Sequence, residues 1–136
     1  MGEIKHQKQG DLDCVCTCIA MITGIKRRTI TRRYQHRYMN ESGFDTNNIL
    51  DDLGVKYRKC IHGDRIDLNK VYLVTVPSLN MAGLFHQIII DTRAGFEILD
   101  PNRGVSGRNY YVLRASPSAR KQIKLRAWIL DYEIYM

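Results

Sequence analysis

The pattern of the chain changes once, near Val55, and that single switch restricts the fold more than any other feature. Before it, the signals are helical. Cys14 to Ile22 is apolar almost throughout, with Asp11 or Asp13 in place to cap a buried helix and Gly24 in place to end it. A strongly basic second helix is expected from Arg27 to Met39, and a third from Thr46 to Leu53, capped by Asp45 and stopped by Gly54. After the switch, β-rich segments follow: Val55 to Cys60, Lys70 to Val76 up to Pro77, and Leu84 to Ile90. Asp91 to Gly95 reads as a turn into a strand from Phe96 to Leu99, which Asp100-Pro101 ends. Tyr110 to Leu113 is a short strand, Ser116-Pro117 starts a brief helix near Ala119, and Trp128 to Tyr135 closes the chain as a strand. Helices first and strands second predict an α+β fold, a helical half packed on an antiparallel sheet. The 136 residues fit one domain spanning 1–136.

Four cysteines are present, three of them in Cys14-Val-Cys-Thr-Cys18, too close together to bridge one another. Only Cys60 is left to pair, so at least two thiols stay free, which suits a reducing compartment, and a cytoplasmic protein is expected. Apolar runs such as Ile88-Ile89-Ile90 are far too short to cross a bilayer, and the polar arm 1–10 has no signal-peptide stretch, so no membrane partner is expected. Lys and Arg outnumber Asp and Glu by 21 to 14, a net charge of +7 that favours acidic partners. The excess lies in Lys26–Arg28, Arg32-Arg33 and Arg37, and again from Arg114 to Arg126. A solvated basic helix face explains much of it. A nucleic-acid patch is the alternative, although neither the aromatic pattern of an RNA-binding sheet nor finger spacing is present.

Cys14 stands at the first turn of the buried helix. A helix start offers unpaired amide hydrogens and a partial positive charge, both of which favour a thiolate. His86 is the one histidine embedded in an apolar strand, on the face of Ile88 and Ile90 and opposite Gln87 and Ile89. An imidazole there needs a polar partner. A hairpin with its turn centred near Arg93 pairs residues whose numbers sum to 186, which places Asp100 directly across from His86. Nucleophile, base and orienting acid then follow the general logic of an activated thiol. A tetrahedral intermediate also needs donors for its oxyanion. The backbone amide of Cys14 supplies one and the side-chain amide of Gln9 the other, with Gln7 as a substitute.

The segment Gln9-Gly-Asp-Leu-Asp-Cys14-Val-Cys-Thr-Cys18-Ile-Ala-Met resembles the nucleophile region of the bacteriocin-processing peptidases, papain-like leader peptidases of bacteria that also occur in stand-alone form. Phe85-His86-Gln-Ile and Leu99-Asp100-Pro101 resemble their histidine and Asp-Pro blocks, in the same Cys, His, Asp order. The resemblance covers about residues 7 to 104. It implies a papain-like α+β fold, Cys14 as nucleophile, His86 as acid and base, Asp100 as orienter and Gln9 at the oxyanion hole. Val15 stands where the family has glycine, which argues against a double-glycine leader as substrate.

The expected activity is therefore thiol hydrolysis of a peptide or isopeptide bond in a protein or peptide substrate, with no cofactor. Deamidation and acyl transfer pass through the same thioester, and an effector or toxin delivered to another cell would use them. Two other classes compete. One is a metal module built from Cys14, Cys16 and Cys18 with Cys60 or His62, although helical spacing turns Cys16 away from its neighbours. The other is an inactive basic module of the same fold that binds nucleic acid or acidic protein.

Overall fold

A computed structural model of the chain describes residues 2–136. Three helices come first: α1 (Cys14–Thr23), α2 (Arg27–Asn40) and α3 (Thr46–Asp52). Seven strands follow: β1 (Tyr57–Lys59), β2 (Val71–Pro77), β3 (Phe85–Asp91), β4 (Glu97–Leu99), β5 (Tyr110–Val112), β6 (Gln122–Lys124) and β7 (Ile129–Ile134). Five of them form one antiparallel sheet in the order β1-β7-β2-β3-β4, so the architecture is α+β, as the change of pattern at Val55 predicts.

The sheet is covered on both faces, which explains why its central strands are apolar without alternation. Val71, Leu73 and Ile89 face the helices and pack on Cys18, Ile19, Ile30, Tyr34 and Leu50. Tyr72, Val74, Val76, Ile88 and Ile90 point the other way, into a second core closed by Cys60, Ile98 and Tyr111, with Ile123 and Leu125 at its margin. Gly24 ends α1 in the left-handed region at φ 75°, where its N–H reaches the Ala20 carbonyl. Asp45 caps α3 in a reciprocal capping box with Asn48.

Two expectations need correction. No helix forms near Ala119: turns at 117–118 and 120–121 flank it and lead into β6, which pairs in parallel with β5. Ser116-Pro117 does start a turn, but Ile123 and Leu125 gain more by facing the second core than a short exposed helix would. The β3–β4 hairpin also turns one residue later in the chain. Its pairs are Ile89 with Leu99, Ile90 with Ile98 and Asp91 with Glu97, so partners sum to 188 and the turn centres on Ala94. A slip of two residues in that sum keeps every side chain on its face, whereas a slip of one would have reversed them.

Candidate active site

α1 packs on β3, and the Cys18 thiol donates to the Gln87 carbonyl at 3.4 Å. One turn earlier on the same helix, Cys14 lies beside His86, the residue before Gln87 on the strand. Both line a cleft of about 250 Å³ together with Gln9, Leu12, Asn102 and Arg108. The shifted register leaves Asp100 diagonal to His86 rather than opposite. The side chains still meet, with His86 Nε2 2.7 Å from Asp100 Oδ1. With Nε2 on the carboxylate, Nδ1 is the nitrogen left for the thiol.

Asp100 is almost wholly buried and held from several sides. Asn102 N donates to Oδ1 at 2.9 Å and Tyr111 N donates to Oδ2 at 2.7 Å. The half-buried ring of His6 reaches the Asp100 carbonyl at 2.8 Å. Sequence reasoning missed all three supports. His6 sits in a polar stretch, and the Tyr111 amide arrives from a strand eleven residues away. Burial by itself lowers the His86 pKa. The Asp100 hydrogen bond and the neighbouring Cys14 thiol outweigh it and push the value up to about 9.

The other thiols are placed differently. Cys16 and Cys18 are fully buried in the helical core, and Cys60 is buried in the core on the opposite side of the sheet. Burial raises the Cys16 pKa to about 12 and pushes the Cys18 pKa well above its ordinary value. Only Cys14 is part-exposed, and Cys60 lies across the sheet from Cys16 and Cys18, so the four cysteines do not converge as a metal module requires.

Asp13 occupies the N-cap position of α1, but its carboxylate does not cap the helix. Oδ1 accepts from Gly10 N at 2.7 Å, and Oδ2 accepts from Arg27 Nη1 at 2.7 Å and Thr31 Oγ1 at 2.8 Å. This buried anchor ties the loop that carries Gln9 to α2. A β-carbon at Gly10 would lie 2.9 Å from Arg27 Nη1, so a side chain there would push the guanidinium that holds Asp13. Leu12 holds φ at 55°, an uncommon conformation for a branched residue, at the turn just before Cys14.

Gln9 is buried at the cleft, its backbone N–H bonded to the Pro101 carbonyl at 2.9 Å, beside Asp100. Its Nε2 donates to the Gly10 carbonyl at 3.2 Å and its Oε1 is buried without a partner. Gln7 is fully committed elsewhere: Nε2 donates to the Ile25 carbonyl at 2.8 Å, and Oε1 accepts from Arg27 N at 2.7 Å. It braces the link between α1 and α2. Of the two glutamines, Gln9 is the one at the cleft.

A larger hollow, about 540 Å³, lies between β1 and β7 beside Cys60, His62 and Trp128. It lacks a hydrogen-bonded acid–base pair. The hydrogen-bonded His86–Asp100 pair lies at the smaller cleft. No helix among the described residues is long and apolar enough to cross a membrane. Comparison of the chain with protein-family models, with curated proteins and with solved structures finds no match.

Proposed function

We propose that the protein is a papain-like cysteine hydrolase that cleaves a peptide or isopeptide bond through Cys14, His86 and Asp100. The observation that carries this reading is the buried His86–Asp100 bond at 2.7 Å, set beside a part-exposed thiol at a helix start. A buried imidazole bonded to a buried carboxylate would serve a core equally well. Its placement in a cleft against the single part-exposed cysteine favours catalysis.

In this mechanism His86 Nδ1 takes the proton of the Cys14 thiol, and the sulfur attacks the carbonyl carbon. The oxyanion is received by the first amides of α1, which have no partner within the helix, and by the second N–H of the Gln9 amide. His86 returns the proton to the leaving amine, which departs as the thioester forms. Water, deprotonated by His86, then releases the acid. Asp100 holds the ring so that Nδ1 stays turned to the sulfur and stabilises the imidazolium. The cleavage products of a proteome-derived peptide mixture, identified by mass spectrometry with Cys14→Ala as control, test the proposal. Cys14-dependent cleavage is expected. Cys14-dependent deamidation without cleavage would reassign the same triad to glutamine or asparagine side chains, and no Cys14-dependent change would overturn hydrolysis.

A further inference from the structure

The stretch from Pro101 to Leu130 contains seven basic residues and no acidic one, while the other fourteen basic residues are matched by all fourteen acidic ones. The whole net charge of +7 therefore belongs to this one segment. It is also the less neutralised of the two basic regions. On α2, Arg27 pairs with Asp13, Arg33 with Asp52 and Arg37 with Glu41. In the segment only Arg108 has an acidic partner, Asp11 at 3.5 Å. Arg103, Arg114, Arg120, Lys121, Lys124 and Arg126 are exposed and, among the described residues, form no ion pair.

The segment begins at the cleft. Arg108 and Asn102 line it, and Asn109 exchanges two hydrogen bonds with Asn80 on its wall, at 2.8 and 2.9 Å. Tyr111 is fixed at both ends, its N–H on Asp100 Oδ2 and its hydroxyl on the Pro77 carbonyl. The cations are thus carried on β5, β6 and their loops as an extension of the catalytic wall. The rim of the cleft itself is apolar, with Leu12, Met39, Met81, Leu84 and Phe85 all exposed beside it.

We propose that the substrate is a polypeptide that presents an apolar residue to the cleft and an acidic segment to the 101–130 surface. The inference rests on the thiol-hydrolase reading and names the substrate class for it. Protein is favoured over nucleic acid on two counts. A thiol that attacks acyl carbon has no target in a polynucleotide. Single strands are also gripped by pairing cations with open aromatic faces, whereas Tyr111 is buried and Tyr110 half-buried on the strand beside the cations, and the segment's exposed aromatic, Trp128, lines the separate hollow beside Cys60 and His62.

The test uses peptides bearing a chloroacetamide and one leucine, followed by eight glutamates or by eight glutamines, with the electrophile at either end. The better glutamate probe should label Cys14 at least tenfold faster than its glutamine counterpart in 50 mM salt. That advantage should fall below twofold in 0.5 M salt, where screening is nearly complete beyond a few ångströms. It should fall equally in the triple variant Arg120→Glu, Lys121→Glu, Lys124→Glu, and survive in Arg28→Glu, Arg32→Glu on α2. Iodoacetamide, uncharged and small, should label Cys14 at the same rate in all of them. Equal rates for the two probes, or equal loss in the α2 variant, would overturn the proposal. So would an eight-residue thymidine oligonucleotide that competes better than free octaglutamate. If iodoacetamide itself fails to select Cys14, the fault lies in the thiol-hydrolase reading rather than in the acidic-substrate inference.

Discussion

Replacing Asp100 by asparagine keeps the shape of the side chain but cannot keep its hydrogen bonds. The carboxylate accepts from His86 and Asn102 N on one oxygen and from Tyr111 N on the other. An asparagine that keeps its oxygen toward His86 turns an NH2 group against the Tyr111 N–H. The flipped amide loses both His86 and Asn102. Either way a buried donor goes unpaired, at a cost of about 1–3 kcal/mol. A second loss is pH-dependent. His86 has a folded pKa of about 9 against an ordinary 6.5, so its interactions stabilise the fold fully below pH 6.5 and are lost as pH rises through 9. That span is worth about 3 kcal/mol. In Asp100→Asn the largest raising influence is gone and only Cys14 is left to oppose burial, so the His86 pKa should fall well below its wild-type value. Urea unfolding of both proteins from pH 6 to 9.5 should show a stability gap that is widest at pH 6 and closes by up to about 3 kcal/mol. Long-range ¹H–¹⁵N spectra of the His86 ring should give the two pKa values directly. A gap constant with pH, or a wild-type His86 that titrates near neutrality, would refute the reasoning.

Gln9→Ala should lower turnover by roughly a hundredfold, the usual cost of one oxyanion donor, with little effect on unfolding; steady-state rates on any cleaved peptide read it. Gln7→Ala should instead cost about 1–2 kcal/mol of stability, because the Ile25 carbonyl and the Arg27 amide lose their partners, and should leave turnover nearly unchanged. Asp13→Ala strands the Arg27 guanidinium and the Gly10 N–H around a buried site, and should cost about 3–5 kcal/mol in urea unfolding. In peptide mapping after brief alkylation, Cys14 should be modified first. Cys16 and Cys18 should react only on unfolding, since both are fully buried with raised pKa values.

Elements with a strong local signal were legible in the sequence to within a few residues. Gly24 and the Asp45 box mark helix ends by backbone chemistry that needs no tertiary context. The run Ile88 to Ile90 is a strand buried on both faces, and its alternation places His86 correctly. The hairpin register was not legible, because nothing local distinguishes a turn centred on Arg93 from one centred on Ala94. The even slip left the His86–Asp100 contact intact. β6 was hidden because Gln122–Lys124 has only one apolar side chain and pairs with β5 across a loop. The supports of Asp100 were hidden for a similar reason, since they come from backbone amides and from His6, whose role depends on the arm folding back over Pro101. Asp13 carried a misleading signal. Its position fits a cap, but Arg27 and Thr31 from α2 compete for the carboxylate and win.

If His86 activates Cys14, the rate of Cys14 alkylation by iodoacetamide at pH 6.5 must differ between wild type and His86→Ala. An ordinary thiol with a pKa near 8.5 is only about one per cent thiolate at that pH, so an unassisted cysteine reacts slowly. The account predicts that the His86→Ala rate falls at least tenfold at pH 6.5 and approaches the wild-type rate above pH 9, where a free thiol ionises unaided. Equal rates for the two proteins at pH 6.5, with His86→Ala shown to be folded, would contradict it.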